Sequence, residues 1–291
     1  MTSEWNAAGY ARISSLQEAM AHEALALLSL RGDERVLDVG CGQGKITAQI
    51  AMRVPRGGVV GIDPSRSMID YAAAHFDTAA QPNLRFEVAD ARSLGFDAEF
   101  DLVVSFNALH WVPEQDMALQ SIHRALRTDG RALLRLVTMG ERKSLETIVE
   151  ETRATSRWRS AFAGFTDPYL RLTPARYCAA AERNGFRVLR QDCASKTWDF
   201  GSREAFFAFC AVGLVAWTSR VPERDRTEFV DDVLERYAAS SDGTAPTTFR
   251  FYQMDVTLAP DVTSYVAFLT LRTRNVGIAA MTFAPATQST K

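Results

Sequence analysis

The order of apolar and polar residues predicts an α/β fold with a parallel sheet covered by helices on both faces. Three observations predict it. Short, continuously apolar runs recur between residues 35 and 137, as strands buried on both faces require. Stretches of helical periodicity separate them, so each strand can return to the sheet through a crossover helix. The first run ends in alternating glycines, Gly40, Gly42 and Gly44, which let a strand turn sharply into a helix.

The elements follow in order. Residues 13–30 carry a helical stripe of Ile13, Leu16, Met20, Ala24, Leu27 and Leu28. Residues 35–41 (RVLDVGC) read as the first strand and 44–53 as a helix. The second strand is 59–63 (VVGID), after which Pro64 and Ser65 open a helix reaching Phe76. Residues 84–88 form a third strand that runs into Ala89 and Asp90, and 101–106 (DLVVSF) a fourth. A helix fits 113–127, Thr128-Asp129-Gly130 supplies a turn, and 131–137 is the fifth strand. Beyond residue 140 the pattern changes. Helices are expected at 143–160 and 173–184, the second ended by Asn184-Gly185, then a strand at 187–198. An aromatic-rich helix at 202–219, an amphipathic one at 222–239 and a strand at 249–258 complete the reading. The chain thus divides into a helical lid segment (1–30), a cofactor-binding core (31–140), cap helices with the final strands (141–260), and a tail (261–291) without an assigned structure.

Composition narrows the function. Of 291 residues 47% are apolar, enough for one large domain with a small cap. Basic and acidic residues nearly balance, 33 against 35, and no basic stripe dominates, which disfavours nucleic acid as a partner. No apolar run reaches membrane-spanning length, and the first ten residues are polar with Glu4, unlike a secretory signal. A cytoplasmic enzyme acting on a small molecule, without membrane association, is expected. Cys41, Cys178, Cys193 and Cys210 have the spacing of neither a zinc site nor a redox pair, so no metal is expected.

The segment Val36-Leu37-Asp38-Val39-Gly40-Cys41-Gly42-Gln43-Gly44 identifies the cofactor class. A dinucleotide turn wants G-x-G-x-x-G; here Lys45 stands where its last glycine belongs, and Asp38 would repel a pyrophosphate. A nucleotide P-loop wants a hydroxyl after Gly44-Lys45, but Ile46 follows. S-adenosylmethionine has no phosphate and is cationic at its methionine end, which Asp38 favours. Asp63, ending the second strand, can accept both ribose hydroxyls, and Asp90, past the third, can accept from the adenine amino group. One such acid alone is most often a cap or turn residue; three at successive strand ends are a crevice.

These residues resemble a known family. VLDVGCGQG is similar to the first motif of class I S-adenosylmethionine-dependent methyltransferases and GIDPSRSMI to the second; VADARSL and FDLVVSFNALHWV resemble the third and fourth. The resemblance implies a Rossmann-like, doubly wound, seven-stranded, mostly parallel sheet whose antiparallel last strand is 249–258, with an added helical substrate cap. It also implies that Gly40, Gly42, Asp63, Asp90, Ala91 and Asn107 line the cofactor, with Asp38, Cys41 and Pro64 in the same wall. A finer similarity, to the trans-aconitate and juvenile hormone acid methyltransferase group, rests on Glu4-Trp5-Asn6, Tyr10, Gln17 and Asn107-Ala108-Leu109-His110-Trp111. Those enzymes esterify carboxylic acids. The similarity sets Tyr10, Gln17, His110 and Trp111 at the junction of cofactor and acceptor, and Tyr252 is counted with them.

A carboxylate acceptor is anionic at neutral pH and needs neutral donors and aromatic walls, not a base. A phenol or amine acceptor would need one, and His110 is the histidine near the end of the fourth strand, hence the catalytic candidate. Transfer to carbon or nitrogen in a biosynthetic pathway is the alternative, and a non-catalytic binding module a more distant one. Ser105-Phe106-Asn107-Ala108 stands where many amino-group and base methyltransferases carry N/D-P-P-Y/F. The aromatic residues of the second half suit a cap over a bulky or apolar acceptor.

Overall fold

The computed structural model describes residues 15–76, 80–170, 172–240 and 246–261; Tyr10 and the tail after residue 261 lie outside the described residues. The first described element is helix α1, Ser15–Ala26. Strand β1 (Arg35–Val39) leads to α2 (Lys45–Arg53), β2 (Gly58–Asp63) to α3 (Arg66–His75), and then come β3 (Leu84–Val88) and β4 (Phe100–Phe106). Helix α4 (Gln115–Ala125) precedes β5 (Leu126–Thr138), and α5 (Leu145–Arg153) and α6 (Pro174–Arg183) precede β6 (Phe186–Asp199). Helices α7 (Arg203–Gly213), α8 (Val215–Thr218) and α9 (Arg226–Ala239) lead to β7 (Thr248–Pro260).

All seven strands join one sheet in the order β3-β2-β1-β4-β5-β7-β6. The pairs among β1 to β5 are parallel, and β7 runs antiparallel to both β5 and β6. The sequence order doubles back beside β1: chain moves outward through β2 and β3, then returns to β4 on the other side. Such a switch point opens a crevice at the carboxyl ends of β1 and β4. One face of the sheet buries Leu134, Leu136, Met254 and Val256 against α4 and α6, through Leu119, Ile122, Tyr177 and Ala181. The other buries Val36, Leu102, Val104 and Leu133 against α1 and α2, through Ala24, Leu28, Ile50 and Ala51.

A further core forms from α5, α7, α8 and α9. Ile148, Val149, Phe206, Trp217, Phe229 and Val233 pack together with Leu16 and Met20 of α1 and with Phe249 and Phe251 at the start of β7. Val137 and Trp111 pack against the same cluster, so this helical layer meets the sheet at the edge where β5 ends.

Several boundaries differ from the sequence reading. Thr128-Asp129-Gly130 lies inside β5, because the β4–β5 register jumps from Phe100↔Leu126 to Leu102↔Arg131 and the extra residues bulge. The helix expected over 143–160 begins at Leu145, where the Ser144 hydroxyl accepts the Thr147 amide at 3.2 Å, and ends at Arg153. Turns follow it, with the Thr155 hydroxyl donating to the Thr152 carbonyl at 2.8 Å. The apolar helix of 202–219 divides between α7 and α8 at Leu214. β6 is almost wholly exposed and carries Arg187, Arg190, Asp192 and Lys196, charges that keep an edge strand from pairing with another chain.

Candidate active site

The glycine turn is built by close approach. Gly40 and Cys41 both donate to the Ile62 carbonyl, at 2.8 and 2.9 Å, which folds the end of β1 against β2. A Cβ on Gly40 would stand 2.2 Å from that of Ala108, so only glycine lets the turn touch the loop after β4. Gly42 has φ +52° and its missing side chain would meet nothing within 4 Å, which leaves open space beside the turn.

Asp63 borders the turn. Its Oδ2 accepts the Gly42 amide at 3.0 Å and its Oδ1 the Ser65 amide at 2.9 Å, so the carboxylate is fixed in orientation and each oxygen keeps acceptor capacity. Burial pushes its pKa up. Asp38 is buried on β1, with its Oδ2 accepting the Thr47 hydroxyl at 2.7 Å. Burial, opposed by that hydrogen bond and reinforced by the Asp63 charge, raises its pKa to about 7. Burial and these two carboxylates push the Cys41 thiol well up, which keeps it protonated. Two acids that repel each other around open space have the electrostatics a cationic ligand relieves.

Asp90 follows β3, whose Val88 is the register partner of Asp63, and the Ala89 amide donates to the Asp63 carbonyl at 3.2 Å. Both acids therefore stand on one sheet edge. Arg92 grips Asp90: the Arg92 amide and Nε donate to Oδ1, each at 2.9 Å, and Nη2 donates to Oδ2 at 2.6 Å. These bonds hold Asp90 below the usual carboxylate range. Ala91 is buried beside it and Pro64 is exposed.

The other half of the crevice begins where β4 ends. Asn107 sits at φ +60°, a conformation asparagine tolerates better than most residues, and its amide donates to the Arg135 carbonyl at 2.9 Å. Among the described residues its Oδ1 is buried without a partner, an unfilled acceptor at the switch point. His110 and Trp111 follow in a 3-10 turn, Leu109–Trp111. The His110 Nδ1 accepts the Val137 amide at 3.2 Å, which puts the proton of the neutral ring on Nε2. The ring is only 5% exposed, and burial lowers its pKa to about 3. Tyr169 stands 5.1 Å from it, centroid to centroid, and 5.0 Å edge-on from Trp111; Trp217 lies 6.0 Å from Trp111.

The structure thus brings Asp38, Gly40, Cys41, Gly42, Asp63, Asp90, Ala91 and Asn107 to one sheet edge, with His110 and Trp111 where the helical layer meets it. Gln17 lies in α1, which begins at Ser15. Tyr252 is the β7 partner of Thr138; its hydroxyl accepts from Arg142 Nε at 3.4 Å and its ring carries the Arg142 guanidinium. Sequence reading passed over Thr47, Arg92 and Arg135. The last had a signal, an arginine inside the apolar stretch ALLRLV, and it is 2% exposed. Its fork donates to both Asp255 oxygens at 2.7 and 2.9 Å, while Nη1 donates to the Met20 carbonyl at 2.8 Å.

Similarity to known proteins agrees with this geometry. Residues 36–130 match the methyltransferase domain family, a span that holds the turn, all three acids and His110. Trans-aconitate 2-methyltransferase of Deinococcus radiodurans is 29% identical over 238 residues, 78% of this chain and 87% of its own length. The chain thus carries a methyltransferase domain and is similar over most of its length to an S-adenosylmethionine-dependent methyltransferase. Malonyl-[acyl-carrier protein] O-methyltransferase of Bacillus cereus is 28% identical over 43% of this chain and 46% of its own. The YcgJ protein of Bacillus subtilis shares the fold, with a TM-score of 0.56 at 19% identity over 83% of this chain and 97% of that one.

The methyltransferase uses S-adenosylmethionine as cofactor. Its residues fit that group: there is open space at Gly42, the Asp63 carboxylate is oriented beside it, and the Asn107 Oδ1 has no partner among the described residues. Among the described residues no cluster of His, Cys, Asp or Glu could hold a metal, and no helix is long and apolar enough to cross a membrane.

Proposed function

We propose that this methyltransferase esterifies the carboxyl group of a small, largely apolar carboxylic acid. The observation that carries the reading is the state of His110. A ring whose pKa lies near 3, and whose Nδ1 is committed to a backbone amide, is a fixed neutral donor through Nε2–H and a poor base at neutral pH. A carboxylate acceptor needs such donors and no deprotonation; a phenol or ammonium group would need a base. The names of the trans-aconitate and malonyl-carrier-protein relatives point the same way.

Bound S-adenosylmethionine supplies a methyl group made electrophilic by its sulfonium. In this reading Asp63 holds the ribose hydroxyls, Asp38 favours the cationic methionine end, Asp90 and Ala91 flank the adenine, and Gly40, Cys41, Gly42, Pro64 and Asn107 complete the wall. The His110 Nε2–H and the Trp111 indole, with Tyr10 and Gln17, orient the acceptor; Tyr252, on the opposite face of β7 and held by Arg142, is not among them. The aromatic layer of Trp111, Tyr169, Phe165 and Trp217 excludes water and accommodates an apolar body. Alignment of reactants can lower the barrier by about 7–11 kcal/mol. Methyl release measured over panels of carboxylic acids, phenols and amines tests the proposal. Turnover of carboxylic acids is expected, and turnover confined to phenols or amines would remove it.

A further inference from the structure

A further carboxamide oxygen without a partner among the described residues lies on β7. Gln253, in the middle of β7, is 3% exposed, and its Oε1 is buried with no hydrogen-bond partner among the described residues. An unpaired amide in a packed interior is costly and is uncommon without a use. Its position gives the use. Gln253 is the register partner of Val137, whose amide fixes the His110 ring. Directly opposed residues of antiparallel strands point to the same face, so Gln253 and Val137 share the face that meets the helical layer. Phe251, two residues away on that face, lies in the aromatic cluster with Trp217 and Phe206. On the β6 side its neighbour is Ala194, a small residue that leaves room.

Helix α1 passes over this point. Glu23 is paired with Arg135 on β5 at 3.5 Å and with Lys196 on β6 at 3.0 Å, so the helix spans β7 between them. The fork of Arg135 is already taken by Asp255 and the Met20 carbonyl. Gln253 therefore offers hydrogen bonds on a face whose nearest cation is neutralised.

We propose that Gln253, on the strand beside the one that holds His110, is a specificity-determining residue whose carboxamide binds a polar, uncharged group of the methyl acceptor. The inference rests on the acceptor side proposed above and adds a substrate class: an apolar acid with one further hydroxyl, carbonyl or amide group, in preference to an acid carrying several carboxylates. An amide pairs with an uncharged oxygen group by one acceptor and two donors, and it cannot neutralise a second anion.

The test uses the whole chain with Gln253→Met and Gln253→Glu. Methionine fills a similar volume and removes both hydrogen-bonding functions. The melting temperature of Gln253→Met is expected to rise by about 2–4 °C, since an unpaired buried amide is replaced by an apolar group. KM for the best acceptor of the panel should rise at least tenfold, with the calorimetric affinity for S-adenosylmethionine unchanged. Gln253→Glu should lose acceptor binding at pH 8 and regain it toward pH 5, where a protonated carboxyl again donates and accepts. A fall in melting temperature of Gln253→Met, or an unaltered acceptor KM, would overturn the proposal. A wild-type enzyme active only on amines or phenols would remove the carboxylic-acid reading but leave Gln253 to be judged on that acceptor by the same two measurements. If nothing in the panel is methylated, the acceptor role of Gln253 is overturned together with the carboxylic-acid reading.

Discussion

The edge formed by β1, β2 and β3 and the edge formed by β4, β5 and β7 belong to one sheet but solve opposite electrostatic problems. The first gathers Asp38, Asp63 and Asp90, and raises the pKa of Asp38 and Asp63 by burial. The second is kept neutral: His110 holds no charge near pH 7, and Asp255 is cancelled by Arg135. The division matches the two ligands such an enzyme handles. A cationic cofactor is attracted by Asp63 and Asp38, Asp90 being paired with Arg92, whereas an anionic acceptor, as proposed above, would be best oriented by donors that carry no charge.

The comparison can be broken most severely at Arg135. Arg135→Met leaves Asp255 as an uncompensated, largely buried carboxylate and releases α1 from its anchor on the sheet. A loss of about 3–5 kcal/mol in urea unfolding is expected, most of it recovered when Asp255→Leu is added. No recovery in the double variant would mean that the pair does more than neutralise this edge.

At the charged edge, Asp63→Ala should weaken S-adenosylmethionine by about 1.5–3 kcal/mol, because hydrogen bonds to a charged group are lost. Calorimetry measures it, and unchanged affinity would detach Asp63 from the cofactor.

A subtler contrast lies in pH. The unfolded Asp38 carboxyl titrates near 3.8 and the folded one near 7, so the folded state holds a proton that the unfolded state has released. Stability from this group therefore falls as pH rises from about 4 to about 7 and is level above that. Cofactor affinity should rise over pH 6–8 as Asp38 ionises. Asp38→Asn is expected to flatten both trends, seen in melting curves and in binding isotherms across pH. His110, with its pKa near 3, should put no limb in kcat over the same range. A kcat limb there that disappears in His110→Gln would return the histidine to the role of base.

The charged edge was readable from sequence because its signals are local. Gly40, Gly42 and Asp38 lie within one turn, and Asp63 and Asp90 each close the next apolar run. The neutral edge was less readable. Arg135, inside the apolar stretch ALLRLV, was visible, but its partner Asp255 stands 120 residues away. His110 could be named from its motif, yet its protonation depends on the Val137 amide and on burial by Tyr169. Tyr252 attracted notice as an aromatic residue, while the adjacent Gln253 carried no signal. Strand alternation sends these neighbours to opposite faces.

Sequence alone determined the alternation of strands and helices, the glycine turn, the order of the acids and hence the cofactor class, since each follows from residue periodicity or from spacing along the chain. Tertiary structure decided which acids stay charged, that Arg92 holds Asp90, that His110 is neutral and that Arg135 cancels Asp255. The physical reason is that desolvation and pairing depend on every element packed around a group, and those elements come from parts of the chain that only folding brings together.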